Sequence, residues 1–494
     1  MGVTGKWRNA RHVAPQRGQV LCGLAMAMIG GQGLAATPGV AAADRLTDEE
    51  KKKAQEERAN PRHEHIEVVG QWRDMSPKFT APLLDTPKSV SIISRQLLSQ
   101  TASNTLADAL RNVPGITMGA GEGGNPVGDR PFLRGFDAQS STFVDGLRDV
   151  GAQSRETFNV ESIEVVKGDS GAIAGRGGAG GALLINSKMP TLKNAIDANL
   201  GFGNADYKRG TFDGNWRVTE SGAFRLNLMG DDQGVAGRGP THYRRFGVAP
   251  SLSFGLGTAN RVTVMYYHMQ NDDLPDVGIP YSNPPFNRRS DGAARVLGTG
   301  NGAPVKVPFD TWYGLENRDS NQDGIDMGTL RLEHDFSSTL HLRNTTRYSE
   351  TTQNDRWTMP DDSQGNIYYG YVYRRLNSRF STFDTATNQT DFYGSFDLAG
   401  FRNQFASGAE FTREQGKNDN YLAIVNGQNV GAGTNFTRCA TALAFSSHTC
   451  TSLLDPNPND LWTGDLKHAG NPNSTRFDTK ACLLYTSDAA DEGL

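Results

Sequence analysis

The chain has 494 residues, of which 57 are glycine and 36% are hydrophobic. This length exceeds one ordinary compact domain, so it predicts two domains or one large β architecture. The 50 basic and 54 acidic residues nearly balance, and the formal net charge of −4 gives no indication of a nucleic-acid partner.

The chain begins with a basic region followed by a short apolar run, a pattern typical of an export signal. Four basic residues precede residue 18, the apolar run covers residues 20–29, and small residues precede Ala43. We therefore predict that residues 1–43 are a signal peptide. The apolar run is too short for a transmembrane helix, which needs about 20 residues.

Residues 44–77 are charged and nearly free of apolar side chains, so they are predicted to form a solvated periplasmic spacer. One strand-forming run interrupts the spacer and consists of Ile66, Glu67, Val68, Val69 and Gly70. The run is either a separate extended segment or the first strand of the domain that follows.

Residues 78–190 mix strand and helix patterns and have the length of a normal domain. Asn104 or Thr105 is predicted to cap a helix that stops before Pro114 and Gly115. We therefore expect a mixed α/β domain in this part of the chain.

From residue 195 to about 480, apolar and polar residues alternate, which predicts β-strands. Segments of about 9–12 residues suit a tilted crossing of a bilayer. Short links such as 219–222 alternate with long polar ones such as 271–325, and aromatic residues lie near the predicted strand ends, namely Tyr266, Tyr267, Tyr348 and Trp357. The pattern favours an antiparallel transmembrane β-barrel over a soluble sandwich or propeller.

The predicted barrel is incomplete, because about ten strands precede residue 480 and a plugged barrel has about 22. Residues 481–494 do not continue the strand pattern and resemble a translated sequencing adapter. We expect this tail to be non-native and the chain to be truncated at its C-terminal end.

Two cysteines fall within the predicted barrel region. Cys439 and Cys450 enclose a polar stretch of an exported chain, so they are predicted to form a disulfide, with two unpaired thiols as the alternative. Neither cysteine has the spacing of a metal ligand. The sequence also contains no supported catalytic constellation, so no enzyme and no metal site are predicted.

Two motifs match ligand-binding patterns only in part. Gly175, Gly177 and Gly180 match a dinucleotide fingerprint, but residues 181–190 predict a strand where that fold needs a helix. We instead predict a tight turn between two strands, against the barrel wall. Residues 319–324 match the start of a calcium loop, but Leu330 occupies the position of the required glutamate, so we predict a loop turn.

Five stretches of residues 78–190 resemble the plug domain of TonB-dependent outer-membrane receptors, in the family's order and at its spacing. They are DTPKSVSIISRQLL (85–98), LADALRNVPGI (106–116), FLRGF (132–136), FVDGLRD (143–149) and VESIEVVKGDSGAIAGRGGAGGALLINSKMP (160–190). WYGLENRD (312–319) and residues 328–350 resemble siderophore receptors, particularly those for catecholate-type iron complexes.

The resemblance implies energised import of a ferric siderophore across the bacterial outer membrane. The partners it implies are TonB with the ExbB/ExbD complex, and outer-membrane lipid and lipopolysaccharide; iron would travel as the siderophore complex and no cofactor is expected. Residues 66–70 match the family's TonB box, which can add as a strand to a partner's sheet.

The resemblance also implies that ligand contacts come from plug loops at residues 119–130 and 148–156. Arginine planes suit anionic, aromatic ferric catecholates, so the candidates are Arg130, Arg148, Gln153 and Arg155. The alternative is that these arginines pair with acidic residues of the plug or of the barrel wall. Other cargoes remain open (haem, cobalamin, a nickel complex or a glycan), as does a passive pore or surface adhesin.

Overall fold

The computed structural model describes residues 88–119, 128–151, 153–168, 170–171, 178–276, 278–281, 302–361, 365–398, 401–430, 439, 442–470 and 474–490. All of them belong to one compact unit, residues 71–494. The predicted signal peptide, the TonB box at 66–70 and residues 120–127 of the predicted ligand loop lie outside the described residues.

The first part of the described chain is a small α/β domain, which we call the plug domain (residues 89–187). Its elements are β1 (Ser89–Ser94), α1 (Arg95–Gln100), α2 (Leu106–Leu110), β2 (Ile116–Met118), β3 (Pro131–Leu133), β4 (Phe136–Asp137), β5 (Thr142–Val144), β6 (Leu147–Arg148), β7 (Val160–Lys167) and β8 (Gly181–Ser187). One sheet has the order β1-β7-β8-β5-β6, and a second has the order β2-β3-β4. Only β5 and β8 pair in parallel among the strands of these two sheets.

Helix α2 begins at the predicted position. Thr105 is its N-cap, and its side chain forms a capping box with Asp108. The helix buries Leu106 and Leu110 in the same apolar cluster as Leu183 of β8. Capping and burial together explain why five residues suffice for this helix, since isolated short helices are marginal in water.

The glycine-rich stretch ends in a strand, as predicted, because residues 181–187 form β8. A Cβ atom on Gly180 would lie 2.2 Å from the Leu133 carbonyl oxygen, and one on Gly181 would lie 2.1 Å from that of Val166. Gly181 also has a φ of +139°. These contacts are with β3 and β7, so the prediction that the turn lies against the barrel wall was wrong for these two glycines.

The second part of the described chain forms a long antiparallel sheet, which we call the large sheet. Its strands are β9 (Ala195–Phe202), β10 (Lys208–Arg217), β11 (Ala223–Gly234), β12 (His242–Phe254), β13 (Asn260–Asp273), β14 (Ser320–Asp335), β15 (Leu340–Asp361), β16 (Tyr371–Leu398), β17 (Phe401–Asp419) and, last in the chain, β22 (Thr475–Ala490). Each strand pairs with its neighbours in this order, which gives the ten-strand path expected from the sequence. The expectation that residues 481–494 do not continue the strand pattern was wrong for residues 481–490, which belong to β22 and pair with β17. The non-native origin of residues 481–494 stays a prediction.

Short links at 218–222, 255–259, 336–339 and 399–400 join what we call the lower ends of the strands. Segments at 203–207, 235–241, 274–319, 362–370 and 420–474 join the upper ends, and all but the first are longer than the lower links. Strands β15 and β16 have 22 and 28 residues, longer than predicted, because they continue past the length that a bilayer crossing needs.

One further detail of the sequence prediction for this sheet was wrong. Residues 320–324 are the first residues of β14 and not a loop turn, because they pair with the ends of β13 and β15. Of the aromatic residues noted near strand ends, Tyr266 and Tyr348 are exposed, whereas Tyr267 and Trp357 lie on the opposite, inward face, and Trp357 is buried. Successive residues of a strand point to opposite faces of the sheet. The position of an aromatic residue near a strand end therefore does not tell which face its side chain occupies.

The upper segments carry their own small elements. They are β18 (Tyr421–Val425), β19 (Gln428–Asn429), α3 (Ala442–Ser446), β20 (Cys450–Ser452) and β21 (Asp465–His468). A disulfide joins Cys439 and Cys450, whose Cα atoms lie 5.6 Å apart. Among the described residues, no helix is both long enough and apolar enough to span a membrane.

Candidate functional site

The plug domain contacts the large sheet through buried ion pairs. The Glu156 side chain lies between two strands and accepts hydrogen bonds from Arg209 of β10 and Arg245 of β12, each at 2.8 Å. Arg209 also pairs with Asp231, and Arg245 also pairs with Asp273. One plug carboxylate is therefore held by two barrel arginines, each of which a second carboxylate neutralises.

Two of the predicted ligand residues, Gln153 and Arg155, lie near this contact. Arg155 donates two hydrogen bonds to one Asp149 oxygen at 2.9 and 3.0 Å, and Gln153 donates to the same oxygen at 3.0 Å. The Asp129 carboxylate accepts from the Arg155 backbone amide at 2.8 Å. Burial raises the pKa of Asp129 to about 6, although the Arg155 charge acts in the opposite direction.

The other two candidate arginines are also paired. Arg148 lies 3.5 Å from Glu414 of β17, so it is another link between the plug and the large sheet. Arg130 donates to Asp137 at 2.9 Å, and its guanidinium lies 5.2 Å from the centre of the Phe132 ring. The structure thus brings Gln153 and Arg155 together, while the Arg148 and Arg130 side chains have other partners.

Sequence reasoning missed two further contacts between the plug and the sheet. Asp145 pairs with Arg347 of β15 at 3.0 Å and also accepts from Ser187 of β8. Lys188 lies 3.1 Å from Asp213 of β10, and burial lowers the pKa of this lysine despite that partner. The only local signal was the Asp145-Gly146 turn, since the barrel partners are distant in sequence.

A cavity of about 70 Å³ lies between the plug and the large sheet. Its walls include Arg155 and Glu156 from the plug and Tyr267, Met327 and Arg347 from the sheet. Pockets that hold drug-sized ligands usually have volumes of roughly 300–1,000 Å³. This cavity, and a second one of about 190 Å³ lined by residues of the plug and of β9 and β10, are both smaller than that range.

Two buried arginines organise the upper segments above this boundary. Arg374 of β16 donates to the carbonyl of Tyr313 at 2.9 Å and of Asn457 at 2.7 Å, and it pairs with Asp460 at 2.8 Å. Its side chain is fully buried. Arg374 therefore ties together segments 274–319 and 420–474, which belong to different hairpins.

Arg318 has the same role nearer the top of β14. It pairs with Asp319 at 2.9 Å, and its guanidinium lies 5.5 Å from the centre of the Trp462 ring. Asp319 in turn accepts from the backbone amide of Thr358 at 2.9 Å. The upper segments are thus folded against one another by internal polar contacts and not only by their apolar clusters.

Comparisons with known proteins assign the family. Residues 82–182 match the TonB-dependent Receptor Plug Domain. The chain is 41% identical over 380 residues to the probable TonB-dependent siderophore receptor PiuA of Acinetobacter baumannii, covering 77% of this chain and 49% of that protein. It is 37% identical over 348 residues to the catecholate siderophore receptor Fiu of Escherichia coli K12, covering 68% of this chain and 45% of Fiu.

Solved structures agree with this assignment. The crystal structure of PiuA superposes with a TM-score of 0.77 at 38% identity, covering 85% of this chain and 57% of that one. The open form of Escherichia coli Fiu superposes with a TM-score of 0.71 at 30% identity, covering 85% of this chain and 60% of that one. The chain spans about half the length of the curated relatives it matches. With a plug domain bound to an antiparallel barrel sheet, this chain belongs to the TonB-dependent outer-membrane receptors.

Proposed function

We propose that the protein imports a ferric siderophore across the outer membrane, using energy supplied through TonB. The observation that carries this proposal is the closed boundary between the plug and the sheet. Buried ion pairs hold the plug at Glu156, Asp145 and Lys188. Two cavities between the plug and the sheet, of about 70 and 190 Å³, are both smaller than the roughly 300–1,000 Å³ of a pocket for a drug-sized ligand. Work on the plug is the simplest way to open such a boundary, and the family couples that work to TonB.

A catecholate-type complex is the proposed cargo, because Fiu is a catecholate siderophore receptor. Ferric catecholates are anionic and aromatic, and an arginine beside an aromatic ring suits both properties. Arg130 over Phe132 provides such a pair. Arg130 and Arg148 are partly exposed, with side-chain exposures of 26% and 18%, so we propose them as direct contacts.

Gln153 and Arg155 are proposed to act differently. Both side chains are buried and bound to Asp149, which leaves them little freedom to reach a ligand. We propose that they fix the shape of the 148–156 loop that presents Arg148. Arg148→Ala should therefore weaken ligand binding directly, whereas Arg155→Ala should also raise the protease sensitivity of the plug.

The TonB box is proposed to be Ile66, Glu67, Val68, Val69 and Gly70. The test is deletion of residues 66–70 from the receptor, expressed from its complete reading frame in a receptor-null strain. Surface binding of a radiolabelled ferric catecholate should persist, while uptake should cease. Undiminished uptake would disprove the assignment of this segment, and a deletion of equal length at residues 50–54 serves as the matched control.

Cargo class and passive conduction need separate experiments. Growth of the same strain on catecholate, hydroxamate and haem iron sources distinguishes the proposed cargo from the others, and indifference to iron limitation would contradict a siderophore. A passive pore would conduct ions in planar bilayers, whereas a plugged receptor should show almost no open channel. The proposed activity is transport with iron as part of the cargo, and we propose no enzymatic reaction.

A further inference from the structure

The upper ends of β13, β14 and β15 carry a compact grid of acidic and amide side chains. In one row across the sheet, Asn271 pairs with Asp323, which pairs with Gln353. In the next row, Asp273 pairs with Asn321, which pairs with Asp355. Neighbouring strands lie about 4.8 Å apart and alternate residues share a face, so all six side chains project from one small area of the inward face.

Five oxygen atoms of this grid are buried and have no hydrogen-bond partner among the described residues. They are Oδ1 of Asn271, Oδ1 of Asn321, Oδ1 of Asp323 and both carboxylate oxygens of Asp355. The four residues are between 0% and 6% exposed. Unpaired buried oxygens are rare in folded proteins because each has lost its hydration, and a cluster of five acceptors concentrates that penalty.

The charged neighbours do not supply the missing donors. The guanidinium of Arg245 donates to Asp273 and Glu156 and not to these five oxygen atoms. Arg379 lies opposite Asp355 in the register and attracts it electrostatically, but donates no hydrogen bond to its buried oxygens. The Gln322 backbone also lies near Asp355 without a hydrogen bond of ordinary geometry.

We propose that this grid binds a hard divalent cation, with Ca²⁺ preferred. The ligands would be the carboxylates of Asp323 and Asp355 and the amide oxygens of Asn271 and Asn321. Calcium takes six to eight oxygen ligands in flexible geometry, whereas magnesium demands a near-ideal octahedron and keeps its waters. Carboxylate and amide oxygens on three adjacent strands therefore suit Ca²⁺ better than Mg²⁺.

The ligand set differs from the one that the sequence pattern suggested. Asn321 and Asp323 belong to the stretch that resembles the start of a calcium loop, yet here they lie in a strand and their partners come from β13 and β15. No three His, Cys, Asp or Glu side chains converge as a metal site in the part of the chain that the structure describes. The proposed site instead combines two carboxylates with two amides, and it does not depend on which cargo the receptor carries.

Two other arrangements would relieve the same penalty without a metal ion. Asp323 and Asp355 lie close enough to share a single proton. A flipped asparagine amide would turn a donor nitrogen toward a carboxylate. Both arrangements predict no dependence on Ca²⁺, so a direct binding measurement separates them from the proposal.

The test uses purified receptor in detergent, stripped with EDTA and titrated with Tb³⁺ as a luminescent substitute for Ca²⁺. Trp357 lies two residues beyond Asp355 on the same strand, with its side chain also buried, so excitation of tryptophan should sensitise a bound Tb³⁺. We expect saturable emission that Ca²⁺ displaces and Mg²⁺ displaces about tenfold less effectively.

Asp323→Asn with Asp355→Asn should abolish this emission, and Asn321→Ala should weaken Tb³⁺ affinity about tenfold without any change in charge. The matched control is Asp272→Asn, because Asp272 lies beside the grid in sequence but is exposed on the outward face of β13. Absence of saturable emission from the unmodified receptor would overturn the proposal. Equal loss in the Asp272 variant, or unchanged affinity in the Asn321 variant, would overturn it as well.

Discussion

Glu156 is a plug residue whose partners come from two strands of the large sheet. Its carboxylate is fully buried between Arg209 and Arg245, each at 2.8 Å. Removing one partner of a buried ion pair typically costs about 3–5 kcal/mol, because the other charge stays buried without compensation.

We therefore expect Glu156→Gln to lower the thermal unfolding midpoint of the purified receptor and to increase proteolysis of the plug. The matched control is Glu161→Gln, since Glu161 is partly exposed and lies 3.9 Å from Arg225. Exposed or loose pairs contribute about 0–1 kcal/mol, so the control should change the midpoint little. Equal effects of the two variants would show that Glu156 is not a special anchor.

Asp129 is expected to make the stability of the plug fall as the pH rises. Its pKa is about 6 in the folded protein and has a reference value of 3.8, so the folded state binds the proton more tightly. Stability is then highest at or below about pH 4 for this group and falls as the pH rises to about 6, by up to about 3 kcal/mol.

The variant Asp129→Asn should remove this contribution, while its side-chain oxygen can still accept from the Arg155 amide. The difference between the unfolding midpoints at pH 4.5 and pH 7 should therefore be smaller in the variant than in the unmodified protein. Asp137→Asn, at an exposed residue of the same domain, serves as the control. A pH profile unaltered by Asp129→Asn would contradict the assignment of a proton to this carboxyl.

At the scale of elements, the turn into β8 requires glycine for two separable reasons. Gly181 combines a positive φ with a close approach to the Val166 carbonyl, whereas Gly146 has a φ of +88° and open space around its Cβ position. Gly146→Ala should therefore lower the free energy of unfolding by only about 1–2 kcal/mol, the cost of placing a residue with a side chain in the left-handed conformation. Gly181→Ala should cost clearly more, because the Val166 backbone must also shift. Comparable unfolding midpoints for the two variants would show that the close approach is unimportant.

The elements show what the sequence could and could not predict. Period-two alternation predicted an antiparallel array of about ten strands, although not the part of β22 beyond residue 480, and the Thr105 cap and β8 were predicted correctly. These features depend on local patterns of burial and capping. The pairing of Glu156 with two barrel arginines could not be predicted, because the partners lie 53 and 89 residues away and no local pattern marks them.

For residues 319–324, the sequence correctly excluded a calcium loop of the usual type but wrongly predicted a loop turn. The absence of a glutamate at Leu330 correctly argued against a calcium loop of the helix–loop–helix type. The alternative of a loop turn was wrong because Asn321 and Asp323 alternate with outward residues on a strand that two neighbours extend. Polar residues on the inward face of a barrel have the same composition as a loop, so composition alone could not distinguish them.

At the scale of the whole molecule, the proposed import requires the plug to move relative to the large sheet, and a covalent tether tests this. A Cβ atom on Gly151 would lie 3.5 Å from the Cβ of Thr351 on β15, which is within the range for a disulfide. The double variant Gly151→Cys with Thr351→Cys should bind ferric siderophore at the surface when oxidised but fail to import it.

Reduction should restore uptake in the double variant. Each single variant is a control for the substitution itself and for reduction of the native Cys439–Cys450 disulfide. Uptake that continues in the fully oxidised double variant would show that transport does not require separation of the plug from β15. Loss of surface binding in the oxidised form would instead point to a distorted outer face.

The ion pairs that hold the plug also set an order of assembly. The plug precedes the large sheet in the chain, yet its Asp145 finds Arg347 202 residues later. During synthesis and export, the plug therefore emerges before the strands that carry its ion-pair partners. Contacts between residues so distant in sequence form slowly, because a long loop must close first. The plug can form all of these ion pairs only after β10, β12 and β15 have paired. Its final docking is therefore a late event in biogenesis, and a docked plug indicates that this part of the sheet has formed.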